Sequence, residues 1–182
     1  GEATFVVNTT AGVQTIAGTI NGAVAGEGTL TVYDDDNTAA PDAATFSGII
    51  GGTARLKAIN VGSAANGGSA DFDENATAAT LTVLGSSHAD EDTLLTNAAT
   101  KTLDVTTMVV TADDADATVT LSGTLALGTG GLDINGGSVA ADAKVTVAEA
   151  ITSMSGAVTI DGGVAAATGG TNGGTAELET TL

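Results

Sequence analysis

The sequence predicts an all-β protein built as a parallel β-helix, or β-solenoid, of short irregular coils. Apolar residues alternate with Thr, Ser and Asp with a period of two, glycine pairs interrupt the chain at short intervals, and large aromatic side chains are rare. Such alternation is typical of half-buried strands, and glycine supplies the turn conformations between them. An antiparallel β-sandwich is the alternative that the same alternation permits.

The scarcity of aromatic residues favours the solenoid over the sandwich. The 182 residues include no Trp, one Tyr and three Phe. A sandwich core is about 10 Å thick and is normally filled by large side chains. Each coil of a solenoid is covered by the coils above and below it, so stacked Val, Ile, Leu, Ala and Thr are sufficient.

One recurring motif organises the chain. Residues 45–62 read TFSGIIGGTARLKAINVG, and the pattern of an apolar residue, a small residue, Gly and then alternating apolar residues recurs around Gly18, Gly123 and Gly156. Recurrence of this kind indicates a repeat architecture. We therefore expect coils of roughly 18 to 25 residues, about eight in all, with a total length of about 40 Å.

The strands are predicted in chain order from their alternation. They are expected at 4–7, 29–33, within 45–62, and at 70–72, 80–83, 101–110, 118–121 and 144–147, with Asn-Gly and Asp-Gly corners near residues 66, 135 and 161. Residues 147–154 (VAEAITSM) form the one segment compatible with a helical turn. We assign 1–168 to the solenoid and 169–182 to a Gly/Thr-rich tail, linker or assembly strand, in which 176–182 would complete a neighbouring coil or subunit.

The charge limits the partners. The formal charge is −18, from 22 acidic and four basic residues. Binding to nucleic acid requires a basic face, and binding to an anionic membrane surface is disfavoured for the same reason. No segment resembles a transmembrane helix or a signal peptide, and the absence of Cys excludes disulfides and thiolate chemistry.

Three segments resemble the β-strand repeats of bacterial autotransporter passengers and of large repetitive surface-layer or adhesin-like proteins. They are residues 46–51 (FSGIIG), Leu56-Lys57 and 28–32 (GTLTV). The resemblance implies a right-handed parallel β-helix, export from the cell, and a role as a stalk, coat or adhesive surface. The spacing between the motifs is irregular, and acidic loops interrupt them.

Those acidic loops are candidate Ca²⁺ sites. Ca²⁺ takes six to eight oxygen ligands, which flexible loops supply as carboxylates and carbonyls. The alternative is that the charges solubilise the loops and oppose sheet aggregation. None has the spacing of an EF-hand or of the Gly-rich nonapeptide repeat. The candidates form four clusters: Asp34, Asp35, Asp36 and Asp42; Asp71, Asp73 and Glu74; Asp90, Glu91 and Asp92; Asp113, Asp114 and Asp116.

No enzymatic activity is predicted. His88 is the only histidine, and no G-x-S-x-G nucleophile motif accompanies it. A polysaccharide-active β-helix enzyme needs carboxylates and basic residues on one strand face, yet only Arg55 and Lys57 form a pair of basic residues near a predicted strand. This enzyme is the least favoured alternative.

The function predicted from these observations is structural. We expect an extracellular or cell-surface protein that assembles with copies of itself into a coat, stalk or filament, with no required cofactor. The alternative is an adhesin or a virion fibre segment that binds a receptor or a glycan through its loops.

Overall fold

The computed structural model describes residues 2–35, 41–89, 91–137, 141–163 and 173–180, and within these ranges the chain forms strands and no helix. The fifteen strands of the described ranges are β1 Thr4–Asn8, β2 Gln14–Ile16, β3 Thr29–Tyr33, β4 Ala43–Phe46, β5 Leu56–Val61, β6 Gly68–Phe72, β7 Ala76–Leu84, β8 Thr93–Asn97, β9 Thr102–Thr111, β10 Ala117–Leu121, β11 Thr124–Asn135, β12 Ala143–Val147, β13 Ile151–Thr152, β14 Val158–Asp161 and β15 Ala176–Thr180.

The strands form two parallel sheets between which the chain alternates. Sheet A has the order β1-β3-β5-β7-β9-β11-β13, with β14 also paired to β11, and sheet B has the order β15-β12-β10-β8-β6-β4-β2. Each passage through both sheets makes one coil, and the coils stack into a β-solenoid of about six turns. The predicted fold class is confirmed. The antiparallel sandwich is wrong, because the described strands pair with parallel neighbours.

The coils are longer and fewer than the sequence motifs predicted. Thr102 pairs with Thr124, 22 residues later, whereas Ala143 pairs with Ala176, 33 residues later. The prediction of about eight coils of 18 to 25 residues is therefore wrong. Pairing fixes the positions of the strands but not the length of the loops between them, so the loops vary. The seven rungs of sheet A are separated by six spacings of about 4.8 Å, which gives a length of roughly 30 Å.

A third, narrower face completes each coil. The first halves of β7, β9 and β11 pair with one another before these strands bend into sheet A. Isolated bridges from Ile50 to Ile20 and to Ala76 extend this face toward the first coil. In the first coil, a loop of residues 21–28 forms the corner between the third face and sheet A. In a later coil, β7 passes the equivalent corner as one continuous strand.

Small aliphatic side chains stack in register through the interior, as the composition predicted. Nearly every inward position of the central coils is buried. The two ladders of sheet A consist of Leu30, Ile59, Leu81, Met108 and Leu132, and of Val32, Val61, Val83, Val110 and Ile134. This stacking makes a dry core that needs no large aromatic residues.

Sheet B contains the two buried aromatic rings and one buried amide. Phe46 and Phe72 occupy the same ladder and meet edge to face, with their centroids 5.5 Å apart. Asn97 occupies the next rung and is 4% exposed. Its Nδ2 donates to the carbonyl of Lys101 at 3.3 Å, and its Oδ1 accepts from the backbone N–H of Gly123 at 3.2 Å. The polar side chain therefore ties two successive turns together.

Two glycines of the recurring motif, Gly48 and Gly123, lie where coils approach too closely for a side chain. A Cβ on Gly48 would lie 2.4 Å from the carbonyl oxygen of Gly18, and one on Gly123 would lie 2.1 Å from that of Lys101. Gly18, Gly48 and Gly123 follow strands of sheet B and precede the third face. Gly156 lies at a different corner, between the third face and sheet A, so its assignment to the same repeat is wrong.

Two smaller predictions concern the C-terminal part. Residues 147–154 are not helical, because β12 ends at Val147 and β13 pairs with β11. In the predicted tail, β15 pairs with β12 of its own chain. Residues 164–172 lie outside the described part of the chain, so the boundary at 168 stays a prediction. No helix among the described residues is long and apolar enough to span a membrane.

An ion pair fastens β15 to β12. Lys144 Nζ lies 2.9 Å from Oε2 of Glu179 and 3.4 Å from Oε2 of Glu177. Hydrogen bonding to Glu179, and then to Glu177, raises the pKa of Lys144, and the same contact with Lys144 lowers the pKa of Glu179. The ion pairs are exposed, so packing of Leu178 against the core supplies the apolar part of the attachment.

We predict that Leu81→Ala destabilises the solenoid strongly. Leu81 is fully buried in the middle of its ladder, and replacing such a leucine by alanine costs roughly 2 to 5 kcal/mol because a cavity remains. Thr82→Ala, on the outward side of the same strand, should change the free energy of unfolding by less than about 0.5 kcal/mol. Urea denaturation measures both, and equal losses would contradict the stacked core.

Candidate functional site: acidic corners and end rungs

Carboxylates at one corner of the solenoid accept hydrogen bonds from the next coil. The corner precedes each strand of sheet B. Asp92 Oδ1 accepts from the backbone N–H of Asp116 at 3.2 Å, and Asp116 Oδ1 accepts from that of Asp142 at 2.7 Å. Asp142 Oδ1 accepts from the N–H of Thr175 at 2.7 Å and from its hydroxyl at 2.9 Å. We call Asp92, Asp116, Asp142 and Thr175 the corner staircase.

One coil earlier, the equivalent corner position is Gly67, which has no side chain to accept a hydrogen bond. A Cβ there would lie 2.5 Å from the carbonyl oxygen of Asp92, so no side chain fits. Oε2 of Glu91 instead accepts from the Gly67 N–H at 3.1 Å. Glu91 is 3% exposed, and its Oε1 has no hydrogen-bond donor among the described residues. Glu91 therefore has one carboxylate oxygen with unused bonding capacity.

The first predicted cluster is held within its own coil and by its neighbours. Asp34 is buried, its Oδ2 accepts from the N–H of Asp42 at 2.7 Å, and its own N–H donates to the carbonyl of Gly67 at 3.0 Å. Asp35 is exposed and accepts from the Thr10 hydroxyl. Hydrogen bonds from Thr10, and then from Asn8, lower the pKa of Asp35. Asp36 lies outside the described residues.

The second cluster divides between a sheet face and a turn. Asp71, on the outward side of sheet B, accepts from the Thr96 hydroxyl at 2.6 Å. Asp73 is exposed after the end of β6. Glu74 pairs with Lys101 Nζ at 2.8 Å. The second cluster therefore supplies contacts between coils.

The remaining candidates lie in two loops. Asp90 lies outside the described residues, and His88, two positions earlier in the sequence, is exposed. In the last cluster the backbone N–H of Asp114 donates to the carbonyl of Ser86 at 3.0 Å, and that of Asp113 donates to the carbonyl of Ala115 at 3.3 Å. This loop is fastened through its backbone to the preceding coil.

The described carboxylates do not converge on one point. In the ranges that the structure describes, no three His, Asp or Glu side chains are arranged as a group that could hold a metal ion. Binding of Ca²⁺ at Asp34, Asp35, Asp36, Asp42, Asp71, Asp73, Asp90, Asp92, Asp113, Asp114 and Asp116 stays a prediction.

Sequence reasoning missed Asp142 and Thr175. Both complete the corner staircase, and neither lies in an acidic cluster. The available signal was positional, because Asp92, Asp116 and Asp142 each stand directly before a small residue that begins a strand of sheet B.

The two end rungs leave inward side chains exposed. At the first rung Phe5 is 46% exposed, although its ladder is fully buried one rung later at Leu30. Phe5 borders a cavity of about 210 Å³ that residues 20–23 and 27–29 also line. At the last rung Val158 and Ile160 are 36% and 45% exposed. The core thus reaches both ends of the described solenoid.

Comparison of the chain with protein-family models, with curated proteins and with solved structures finds no match.

We predict that Asp116→Ala lowers stability by about 1 kcal/mol, because the N–H of Asp142 loses its acceptor. Asp116→Asn keeps an acceptor oxygen and should retain most of that stability. Asp73→Ala is the matched control, since it removes one exposed negative charge from the same highly acidic chain. Urea denaturation of the three variants measures the differences. A loss for Asp73→Ala as large as that for Asp116→Ala would contradict the staircase.

A second prediction concerns calcium. If the acidic loops hold Ca²⁺, EDTA should lower the Tm by several degrees, since a ligand that binds only the folded state stabilises it. Glu91→Gln should reduce that shift if the unused oxygen of Glu91 is a ligand. Differential scanning calorimetry with and without EDTA decides the matter, and an unchanged Tm would remove the prediction.

Proposed function

We propose that the chain is a non-enzymatic, extracellular structural module that stacks end to end with copies of itself into a filament or stalk. The observation that carries the proposal is the exposure of Phe5, Val158 and Ile160, which occupy inward ladder positions at the two end rungs of the described residues. A further coil of the same cross-section would bury them, and a second copy of the chain is one source of such a coil.

The geometry of the two ends supports this stacking. Within the described ranges, β1 and β2 have a sheet neighbour on one side only, as do β14 and β15. Such edges carry unpaired backbone N–H and C=O groups that another strand can join. If the ladders continue unbroken, Val158 and Ile160 of one copy lie over Phe5 and Val7 of the next.

The distribution of charge at the ends is also compatible. The last rung carries Asp161, Glu177 and Glu179, whereas β1 (TFVVN) and β2 (QTI) carry no charged residue. Acidic groups of one copy would therefore not face acidic groups in the first strands of the next. Contact between two different ends is heterologous, and such contacts build open filaments when the rotation does not close.

The composition and the sequence resemblance support the extracellular location. A charge of −18 keeps the surface strongly hydrated, and the sequence resembles exported surface repeats. A structural role is supported by the contacts of several described carboxylates. Asp71, Glu74 and Asp116 accept hydrogen bonds from a hydroxyl, an ammonium and a backbone N–H group of a neighbouring coil.

We expect the wild-type chain to elongate with rising concentration and with salt, which screens the net charge. Ile160→Asp and Phe5→Asp should each keep the chain monomeric, because each places a charge in the end contact. Thr159→Asp, on the outward side of the same strand as Ile160, is the matched control and should still elongate. Sedimentation velocity and negative-stain electron microscopy measure the outcome.

Two results would count against end stacking. One is a wild-type chain that stays monomeric at every concentration and salt tested. The other is elongation that Ile160→Asp and Thr159→Asp affect equally. Discrete particles that bind cells or sugars would favour the adhesin or virion fibre alternative.

A further inference from the structure

We propose that the outer face of the first five rungs of sheet A is a lateral contact surface for a second copy of this chain. We call it the neutral face, and it comprises the outward positions of residues 4–8, 29–33, 58–61, 80–84 and 107–111. The inference deepens the proposed self-assembly, because it places the contact by which stacked filaments associate side by side.

The neutral face lacks charge on a chain that carries −18. Its outward positions hold Thr, Val, Asn, Tyr, Ala and Leu and no Asp, Glu, Lys or Arg. At its margin Lys57 and Glu2 neutralise each other, with Nζ 2.8 Å from Oε2. On the outward side next to the neutral face, acidic side chains appear in the last two rungs, at Asp133 and Asp161. Asp104 of β9 lies in the first half of that strand, which belongs to the third face.

Sheet B differs from the neutral face by one charge and by its margin. Over its first five rungs the outward side of sheet B carries one charged residue, Asp71, and the acidic corner staircase runs beside it. Lys144, Glu177 and Glu179 follow in its last two rungs. Depletion of charged residues is the compositional signal of an interface core. Placing like charges opposite each other costs several kcal/mol, so two copies of this acidic chain can approach most favourably through their neutral faces.

The size of the face decides what kind of contact it makes. Five strands at about 4.8 Å, with about five residues each at about 3.3 Å, give a plane on the order of 400 Å². A stable pair of proteins buries roughly 800 Å² on each partner. A single neutral face is therefore too small for a lasting dimer, whereas a filament repeats it once per copy and gains avidity from the repetition.

The absence of native cysteine allows a direct test on the single chain. Asn60 lies at the middle of the neutral face, on the third of its five rungs, and Thr120 lies on the outward side of sheet B. Asn60→Cys and Thr120→Cys are each prepared as the free thiol and as its mixed disulfide with a small neutral thiol. The two forms are combined, and the variants are compared for the second-order rate at which the thiolate of one copy displaces the small thiol from the other and forms the disulfide-linked dimer. Each rate is divided by that of the same thiol with a small neutral disulfide, which corrects for local thiol reactivity.

We expect Asn60→Cys to dimerise at least about tenfold faster after this correction, because contact raises the effective concentration of the two thiols. Thr120 is the more exposed of the two residues, so exposure alone predicts the opposite order. Equal rates, or a faster Thr120→Cys, would overturn the inference. This measurement needs no filaments, so it separates failure of the neutral face from failure of end stacking.

Electron microscopy supplies the second measurement. Thr82→Asp places a charge on the neutral face and should convert bundles into single filaments, while Thr120→Asp, the matched change on sheet B, should leave bundles intact. Bundles that survive Thr82→Asp would also overturn the inference. The alternative partner is a solid surface. If the wild-type chain pellets with ice or a crystalline polysaccharide, and Thr82→Asp prevents this while Thr120→Asp does not, the neutral face binds that surface. A second copy of the chain would then be the wrong partner.

Discussion

The parallel stacking of one coil on the next is the constraint on which the rest of this structure depends. Each inward side chain meets its equivalents about 4.8 Å above and below. A ladder of Val or Leu side chains is therefore fully buried without the help of large aromatic residues. Leu30, Ile59 and Leu81 have no exposed surface. The same constraint leaves the end rungs of the described residues incomplete, because within those ranges Phe5 and Ile160 each have a ladder neighbour on one side only.

The fold class could be predicted from the sequence because alternation and the scarcity of aromatic residues are direct consequences of a stacked core. The number of coils could not. Alternation marks strands, but the strands do not say how much chain lies between them, and the loop of residues 21–28 has no counterpart within β7. The prediction that Gly156 belongs to the same repeat as Gly48 was wrong for a related reason. Two backbones approach too closely for a side chain at more than one corner of the coil, so glycine is needed at each, and Gly156 and Gly48 lie at different corners.

For the acidic residues too, the sequence predicted the type of residue correctly but not where it lies in the fold. Their clustering in loops predicted ligand groups, yet the structure spreads them along the coils, and the hydrogen bonds of Asp92, Asp116 and Asp142 run from one coil to the next. Such a contact joins residues 24 to 33 positions apart, so no local spacing reveals it. Only the knowledge of which strands are neighbours makes the pattern visible. The neutral face has the same origin, since it gathers five separate stretches of chain.

Asn97 carries a consequence for how the coils find their partners. Aliphatic ladders are nearly interchangeable, and a chain in which Val61, Val83 and Val110 occupy equivalent positions could pair one turn out of place at little cost in burial. The amide of Asn97 donates to the carbonyl of Lys101, four residues along its own coil, and accepts from the N–H of Gly123 on the next coil. Only the second bond depends on which coil is the neighbour. A buried polar group left without a partner costs roughly 1 to 3 kcal/mol, so slippage by a turn is penalised at this point.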